Sequence, residues 1–236
     1  IINANYYRKV SGKILNIGII GMGIGQKHAF VYDKHPYCDI KTICDFDLDK
    51  LKSMKNTYSS KIVTDDYRRI INDEEINLVS IASFDNFHAN QIIDSINNKK
   101  HVFAEKPLCL TAQELKEIGN ALRLNPEIKL SSNHVLRTNP RFLMLRDKIK
   151  KGDFGDIFYL EGDYYWGRIH KFNEWRAKMD YYSIIHGAAI HMIDLVMWLI
   201  NDRPVEVQAM GNAIATKTHL LDYNSFVVLI LKFKNG

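Results

Sequence analysis

The segment Ile20-Gly21-Met22-Gly23-Ile24-Gly25 sets three glycines at alternate positions, directly after the apolar run Ile14-Leu-Asn-Ile-Gly-Ile-Ile20. Glycines in such a place act through the side chain they lack. In a strand-to-helix turn the first permits the bend and the second lets backbone approach a pyrophosphate. The third lets helix and strand pack closely, with phosphate at the helix N-terminus. An acid completes the pattern. Asp45 lies 24 positions after Gly21, at the end of the next apolar segment. A carboxylate there accepts hydrogen bonds from an adenosine ribose 2′-OH and repels a 2′-phosphate. Gly21, Met22, Gly23, Ile24, Gly25 and Asp45 therefore point to dinucleotide binding, with NAD favoured over NADP. The G-x-G-x-G spacing is one residue shorter than G-x-G-x-x-G. A tight turn beside a solvated acid is the bland reading of the same letters.

These residues need strands and helices in the right order. Residues 14–20, 39–46, 61–67, 77–83, 101–105 and 128–135 read as strands. Helices are expected over about 25–34, 47–58, the stretch NFHANQIIDSINNK, and 111–124. Thr111 and Glu114 form a capping box signature at the last of these. Strands alternating with helices at this spacing predict a parallel sheet wound on both faces, a Rossmann-like α/β fold. The pattern then changes. A helix at 140–151 precedes a strand at 156–166, an irregular aromatic stretch and a helix at 187–201. Strands at 205–214 and 224–233 follow with no helix between them. That predicts an α+β second domain with an open, mostly antiparallel sheet. The domains are expected at 12–136 and 137–236, with the boundary near 135–138. Residues 1–11 show no clear period and read as an extension.

Composition narrows the function. With 236 residues, 46% of them hydrophobic, the chain can bury a large core. Net charge is +5 without a dense basic block, and Arg146, Lys148, Lys150 and Lys151 read as the wet face of a helix. Nucleic acid is not an expected partner. Cys38, Cys44 and Cys109 lie in apolar segments and read as reduced core thiols of a cytoplasmic protein. No apolar run reaches the roughly 18 residues of a membrane span, and no signal-peptide pattern is seen. The nine histidines are scattered and no H-E-x-x-H or C-x-x-C occurs, so no metal is expected.

The stretches IGIIGMGIGQKHA, LVSIASFDNFHANQ, VFAEKPLCLTAQEL and GAAIHMIDLVMWL resemble the serial motifs of the Gfo/Idh/MocA oxidoreductases, which include glucose–fructose oxidoreductase and inositol dehydrogenase. The resemblance spans roughly residues 14–236. Its most specific element is Glu105-Lys106-Pro107, after a strand and before a capped helix. The G-x-G-x-G-x-x-H form is similar to members of sugar-nucleotide and surface-polysaccharide pathways. The resemblance implies a Rossmann domain followed by an α/β domain that here lacks its last strands.

Site residues carry over one at a time. Lys106 matches the active-site lysine, whose ammonium can stabilise charge on a reacting oxygen. Glu105 stands beside it, and Pro107 matches a proline often preceded by a cis peptide. His191 matches a histidine that can take the alcohol proton as general base. Asp194 lies one turn on. His186 lies about 140° away around a helix and shares the site only if the helix starts after it. Ser83, Phe84 and His88 match positions near adenine and ribose, and Trp175, Arg176 and Asn133 positions near nicotinamide and substrate. One departure stands out: Gly187 occupies the position where the family commonly has an aspartate, four residues before the histidine.

The expected function is hydride transfer between NAD(H) and a secondary alcohol of a sugar, sugar nucleotide or cyclitol. An NAD-retaining glycosidase or lyase of the same family is one alternative, and a non-catalytic NAD-binding regulator is another. The run Phe226-Val-Val-Leu-Ile-Leu231 does not alternate, which predicts a strand buried on both faces. The partner is expected to be a second copy, in a homodimer or homotetramer joined through the C-terminal sheet.

Overall fold

The computed structural model describes residues 14–221 and 223–234. The expected N-terminal extension lies outside them. The chain divides into two compact units, residues 1–133 and 134–236.

In the first unit every strand leads into a helix or short turn. The elements run β1 (Leu15–Ile20), α1 (Gly25–Asp33), β2 (Cys38–Cys44), α2 (Leu48–Thr57), β3 (Ile62–Thr64) and α3 (Arg68–Ile71). Then come β4 (Leu78–Ile81), α4 (His88–Asn97), β5 (His101–Ala104), α5 (Ala112–Leu124) and β6 (Leu130–Ser132). The six strands form one sheet in the order β3-β2-β1-β4-β5-β6, and all the pairings are parallel. This is the doubly wound arrangement expected from the alternation of elements. The order reverses between β1 and β4, which opens a crevice at the carboxyl ends of those strands.

Apolar side chains on both faces explain why these segments are strands. Ile17, Ile19, Met22, Ala29, Ile40 and Ile43 pack in one buried cluster. Ile20, Val79, Ile81, Ile92, Ile96, Val102, Ala104 and Ile118 pack in another. A parallel sheet covered on two sides requires such near-continuous apolar runs. The helix ends are set locally. The Asp47 side chain accepts from the N–H groups of Asp49 and Lys50 at the start of α2. Thr111 and Glu114 close the expected capping box at α5.

The second unit contains α6 (Pro140–Lys151), α7 (Ile190–Ile200), β7 (Glu206–Asn212) and β8 (Phe226–Lys232). Asn139 caps α6 by accepting from Arg141 N–H. Arg146, expected on a wet face, instead lies over the Trp198 ring of α7 at 4.3 Å. β7 and β8 pair antiparallel, with Val207 opposite Leu231 and Met210 opposite Val228.

Two further expectations differ from the structure. Residues 156–166 form no strand, because no ladder partner pairs with them among the described residues. The helix of 187–201 starts earlier, through a π-helical turn at Ile185–Ala189. His186 therefore lies inside the helical segment and not ahead of it. Within the single chain, β8 has one half-buried face and one exposed face. Val227, Leu229 and Leu231 are half-buried, whereas Phe226, Val228 and Ile230 are exposed.

Thr111→Ala removes one side of the capping box beside the Glu105-Lys106-Pro107 segment. It is expected to destabilise the first unit by about 1 kcal/mol, read as a lower urea midpoint with an unchanged slope.

Candidate functional site

The glycine turn joins β1 to α1. Gly21 has φ +88°, and a Cβ there would lie 2.5 Å from the Ala82 carbonyl and Ser83 nitrogen. The exit of β4 thus runs directly against it. Gly23 differs: it is exposed, and a Cβ would meet no protein atom within 4 Å. The fold has no steric need for that glycine, whereas a ligand approaching the backbone does. Helix α1 begins beside it with Ile24 at the cap position and no side-chain cap. The first N–H groups of a helix have no intrahelical partner and suit a phosphate. An open glycine beside an uncapped helix start fits a pyrophosphate.

Asp45 is only 4% exposed. One carboxylate oxygen accepts from Met22 N–H at 2.6 Å and the other from Asp47 N–H at 2.9 Å. Lys50 Nζ is 3.9 Å away. The acid therefore ties the glycine turn to the end of β2 and is not the solvated turn acid of the bland reading. Next to it, the rings of Phe46 and Phe84 meet edge to face at 5.3 Å. Ser83 donates from its hydroxyl to Gln91 Oε1.

The Glu105-Lys106-Pro107 turn follows β5, with a cis peptide between Lys106 and Pro107. Glu105 and Lys106 are half-buried. Glu105 Oε1 accepts from Asn133 Nδ2 at 2.7 Å and lies 3.1 Å from His28 Nε2. Burial works against its ionised form, but the hydrogen bonds from His28 and Asn133 outweigh that and hold the carboxyl below its ordinary range. His88 is 1% exposed. Its ring nitrogens lie 2.6 Å from the Pro107 carbonyl oxygen and 3.1 Å from that of Ser83. It clamps the β4 exit to the lysine turn from within the core. Pro107, Glu105, Asn133, Ser83 and Gly21 thus belong to one connected edge, the carboxyl ends of β1, β4, β5 and β6.

The second unit carries the remaining candidates. His191 is half-buried on the first turn of α7, stacked on Tyr164 at 5.5 Å and 18° between planes. Asp194 takes a two-pronged ion pair from Arg137 and lies 3.4 Å from His134 Nδ1. That ion pair pushes the Arg137 pKa above its ordinary value. Arg176 Cζ sits over the Trp175 ring at 4.1 Å and 5.6 Å from the Trp166 ring.

Gly187 has a local cause. A Cβ at this position would collide with the hydroxyl and Cζ of Tyr182, which is 4% exposed. The tyrosine fills the space through which an aspartate side chain would leave the helix. His28, Tyr32, Ser80, Arg137, His134 and Tyr182 were not singled out from sequence. Only His28 left a local signal, inside G-x-G-x-G-x-x-H. Among the described residues no group of three His, Cys, Asp or Glu side chains could hold a metal. Nor is any helix among them long and apolar enough to cross a membrane. Burial, with neighbouring carboxylates, pushes the Cys44 thiol up to about 12.

Residues 15–134 match the family model described as an oxidoreductase family with an NAD-binding Rossmann fold. Residues 142–236 match the GFO/IDH/MocA C-terminal domain. The class is thus an oxidoreductase fold built around an NAD-binding Rossmann unit. The chain belongs to the Gfo/Idh/MocA family. It is 28% identical over 226 residues to the uncharacterized oxidoreductase YrbE of Bacillus subtilis, covering 93% of this chain and 64% of that protein. It is 25% identical over 191 residues to inositol 2-dehydrogenase of Salmonella typhimurium, covering 80% of this chain and 55% of that protein. The crystal structure of myo-inositol 2-dehydrogenase from Lactobacillus plantarum superposes with a TM-score of 0.85 at 26% identity, covering 95% of this chain and 68% of that one. The chain therefore spans between half and about two thirds of the length of these relatives.

Restoring an acid at position 187 conflicts with Tyr182. Gly187→Asp is expected to cost about 1–3 kcal/mol through overpacking. Combined with Tyr182→Ala, the loss is expected to fall short of the sum by about 1 kcal/mol. A double-mutant cycle by urea denaturation reads both values.

Proposed function

We propose that the protein is a dehydrogenase of NAD(H) that acts on a secondary alcohol of a cyclitol, sugar or sugar nucleotide. One observation carries this reading: the open Gly23 turn and the uncapped start of α1 share an edge of the sheet with the Glu105-Lys106-Pro107 turn. Pyrophosphate-binding backbone and a cation suited to an alcohol oxygen thus meet at the carboxyl ends of the strands. The names of the inositol dehydrogenase relatives support the substrate class.

Gly21, Met22, Gly23, Ile24 and Gly25 would hold the pyrophosphate, with Ser83 and Phe84 towards the adenosine half. Asp45, kept as an anion by two backbone N–H groups, would disfavour a 2′-phosphate and select NAD. Bound there, NAD supplies a hydride acceptor at its nicotinamide ring. The protein handles the oxygen. Lys106 donates to the alcohol oxygen and stabilises the negative charge that grows as the O–H proton leaves. His191 takes that proton on a ring nitrogen while the carbon–oxygen bond becomes a carbonyl. Asn133 and Asp194 are assigned to the hydroxyls that orient the ring, and Trp175 and Arg176 to the nicotinamide side. The reading places the enzyme in the cytoplasm.

It also includes a homo-oligomer. Phe226, Val228 and Ile230 project from one face of β8, and exposed Met210 of β7, opposite Val228, shares that face. A contiguous apolar face of this kind is best satisfied by the same face of a second copy.

Two measurements test these statements. Lys106→Ala is expected to leave NAD affinity within a few-fold and to lower turnover on a cyclitol or sugar panel by about 100-fold or more. Both forms are expected to bind NAD more tightly than NADP. Near-normal turnover in the variant removes Lys106 from the mechanism. For assembly, light scattering at micromolar concentration is expected to give a dimer or tetramer that Val228→Lys dissociates. A monomer equally soluble with or without the substitution sinks the sheet-to-sheet contact.

A further inference from the structure

Behind the lysine turn runs a polar chain whose hydrogen bonds have no part in the proposed mechanism. Tyr32 of α1 donates its hydroxyl proton to Ser80 Oγ of β4 at 3.3 Å. Ser80 Oγ lies 3.0 Å from His28 Nδ1. His28 Nε2 lies 3.1 Å from Glu105 Oε1. Asn133 of β6 donates to the same oxygen. His28 and Ser80 are buried, and Phe103 of β5 meets the imidazole edge-on at 5.3 Å.

With a neutral imidazole, the donors and acceptors match in one direction. Ser80 accepts from Tyr32, so its own proton is available for His28 Nδ1. The imidazole then carries its proton on Nε2 and gives it to the Glu105 carboxylate, which has no proton to give. Every hydrogen bond points towards Glu105. The chain thus delivers oriented donors to a buried anion next to Lys106, and Glu105 in turn acts on the lysine by charge.

We infer that His28 is a positioning residue of the active site: through its Nε2–H it fixes the Glu105 carboxylate, and through Glu105 it sets the electrostatic environment of Lys106. The part concerning catalysis rests on the proposed role of Lys106. The part concerning Glu105 rests on geometry alone. Burial by itself raises the proton affinity of Glu105, and the donors oppose this. Because its folded value lies below the ordinary 4.5, ionised Glu105 favours the folded state above that pH. That contribution is lost as pH falls through the lower folded value. Among the described residues, the titratable groups in contact with Glu105 are His28 from α1 and Lys106 from its own turn, while Cys38 of β2 faces Tyr32 at the far end.

The test needs no substrate. In the chain labelled with carboxyl-13C glutamate, the Glu105 resonance, assigned by its loss in Glu105→Gln, is followed against pH. His28→Leu is expected to raise the proton affinity of Glu105 about tenfold, the size of a lost hydrogen bond to a charged group. His28→Gln, whose amide can donate where Nε2–H did, is expected to recover at least half of that change. A purely structural histidine would lower the melting temperature equally in both variants and leave the Glu105 midpoint in place, which overturns the inference. Should His28→Leu fail to fold, Ser80→Ala and Tyr32→Phe replace it. Both are expected to move the Glu105 midpoint the same way by a smaller amount, and unmoved midpoints in both overturn the inference. Once a substrate is known, His28→Leu is expected to lower kcat at least tenfold with KM for NAD changed less than twofold. Absence of any turnover in the unmodified protein counts against the dehydrogenase reading and leaves the carboxyl titration to decide the role of His28.

Discussion

The contact between the Asp45 carboxylate and Met22 N–H holds the first unit to its task. At 2.6 Å it joins the turn after β1 to the end of β2. A buried carboxylate is costly unless donors surround it, and here the donors are backbone groups of the turn itself and of the next helix start. The turn cannot open without stranding the charge, and the charge cannot be removed without loosening the turn. Gly21 reinforces the arrangement, since its positive φ brings the backbone against Ala82 and Ser83 of the neighbouring strand. Three strand ends are thereby fixed relative to one another before any ligand arrives.

The first unit was legible in the sequence because its determinants are local or periodic. The apolar runs of β1 and β2, the alternation with helices, and the Thr111–Glu114 box depend on residues close together in the chain. The polar wiring was less legible. His88 reads as a polar residue at a helix start, yet it is a buried clamp between Ser83 and Pro107. Asp194 reads as a neighbour of His191, yet much of its charge is spent on Arg137, 57 positions away. Hydrogen-bond partners so distant in sequence leave no spacing to read.

The second unit shows the limits of pattern in another way. Residues 156–166 have the β-branched and aromatic content of a strand, but strand formation needs a partner edge, and propensity alone does not provide one. In β8 the unbroken apolar run reads as burial on two sides, one of them against a second copy. The observed alternation between half-buried Val227, Leu229, Leu231 and exposed Phe226, Val228, Ile230 shows that the period is imposed by the backbone whatever the side chains are. The π turn before α7 was likewise invisible, because its cause lies partly in the buried Tyr182 against Gly187.

The direction of the hydrogen bonds from Tyr32 to Glu105 also bears on how such a protein can vary. Ser80 and His28 each donate to one neighbour and accept from another, while Tyr32 donates at one end and Glu105 accepts at the other. Replacing a single member leaves a buried polar atom facing nothing, at a cost of about 1–3 kcal/mol. Replacing the carboxylate by an amide could keep one oxygen for both donors, which share Oε1, but would remove the charge beside Lys106. Joint substitution at Tyr32, Ser80, His28 and Glu105 is therefore expected to cost less than the single changes added together, much as a base pair changes more easily on both strands than on one.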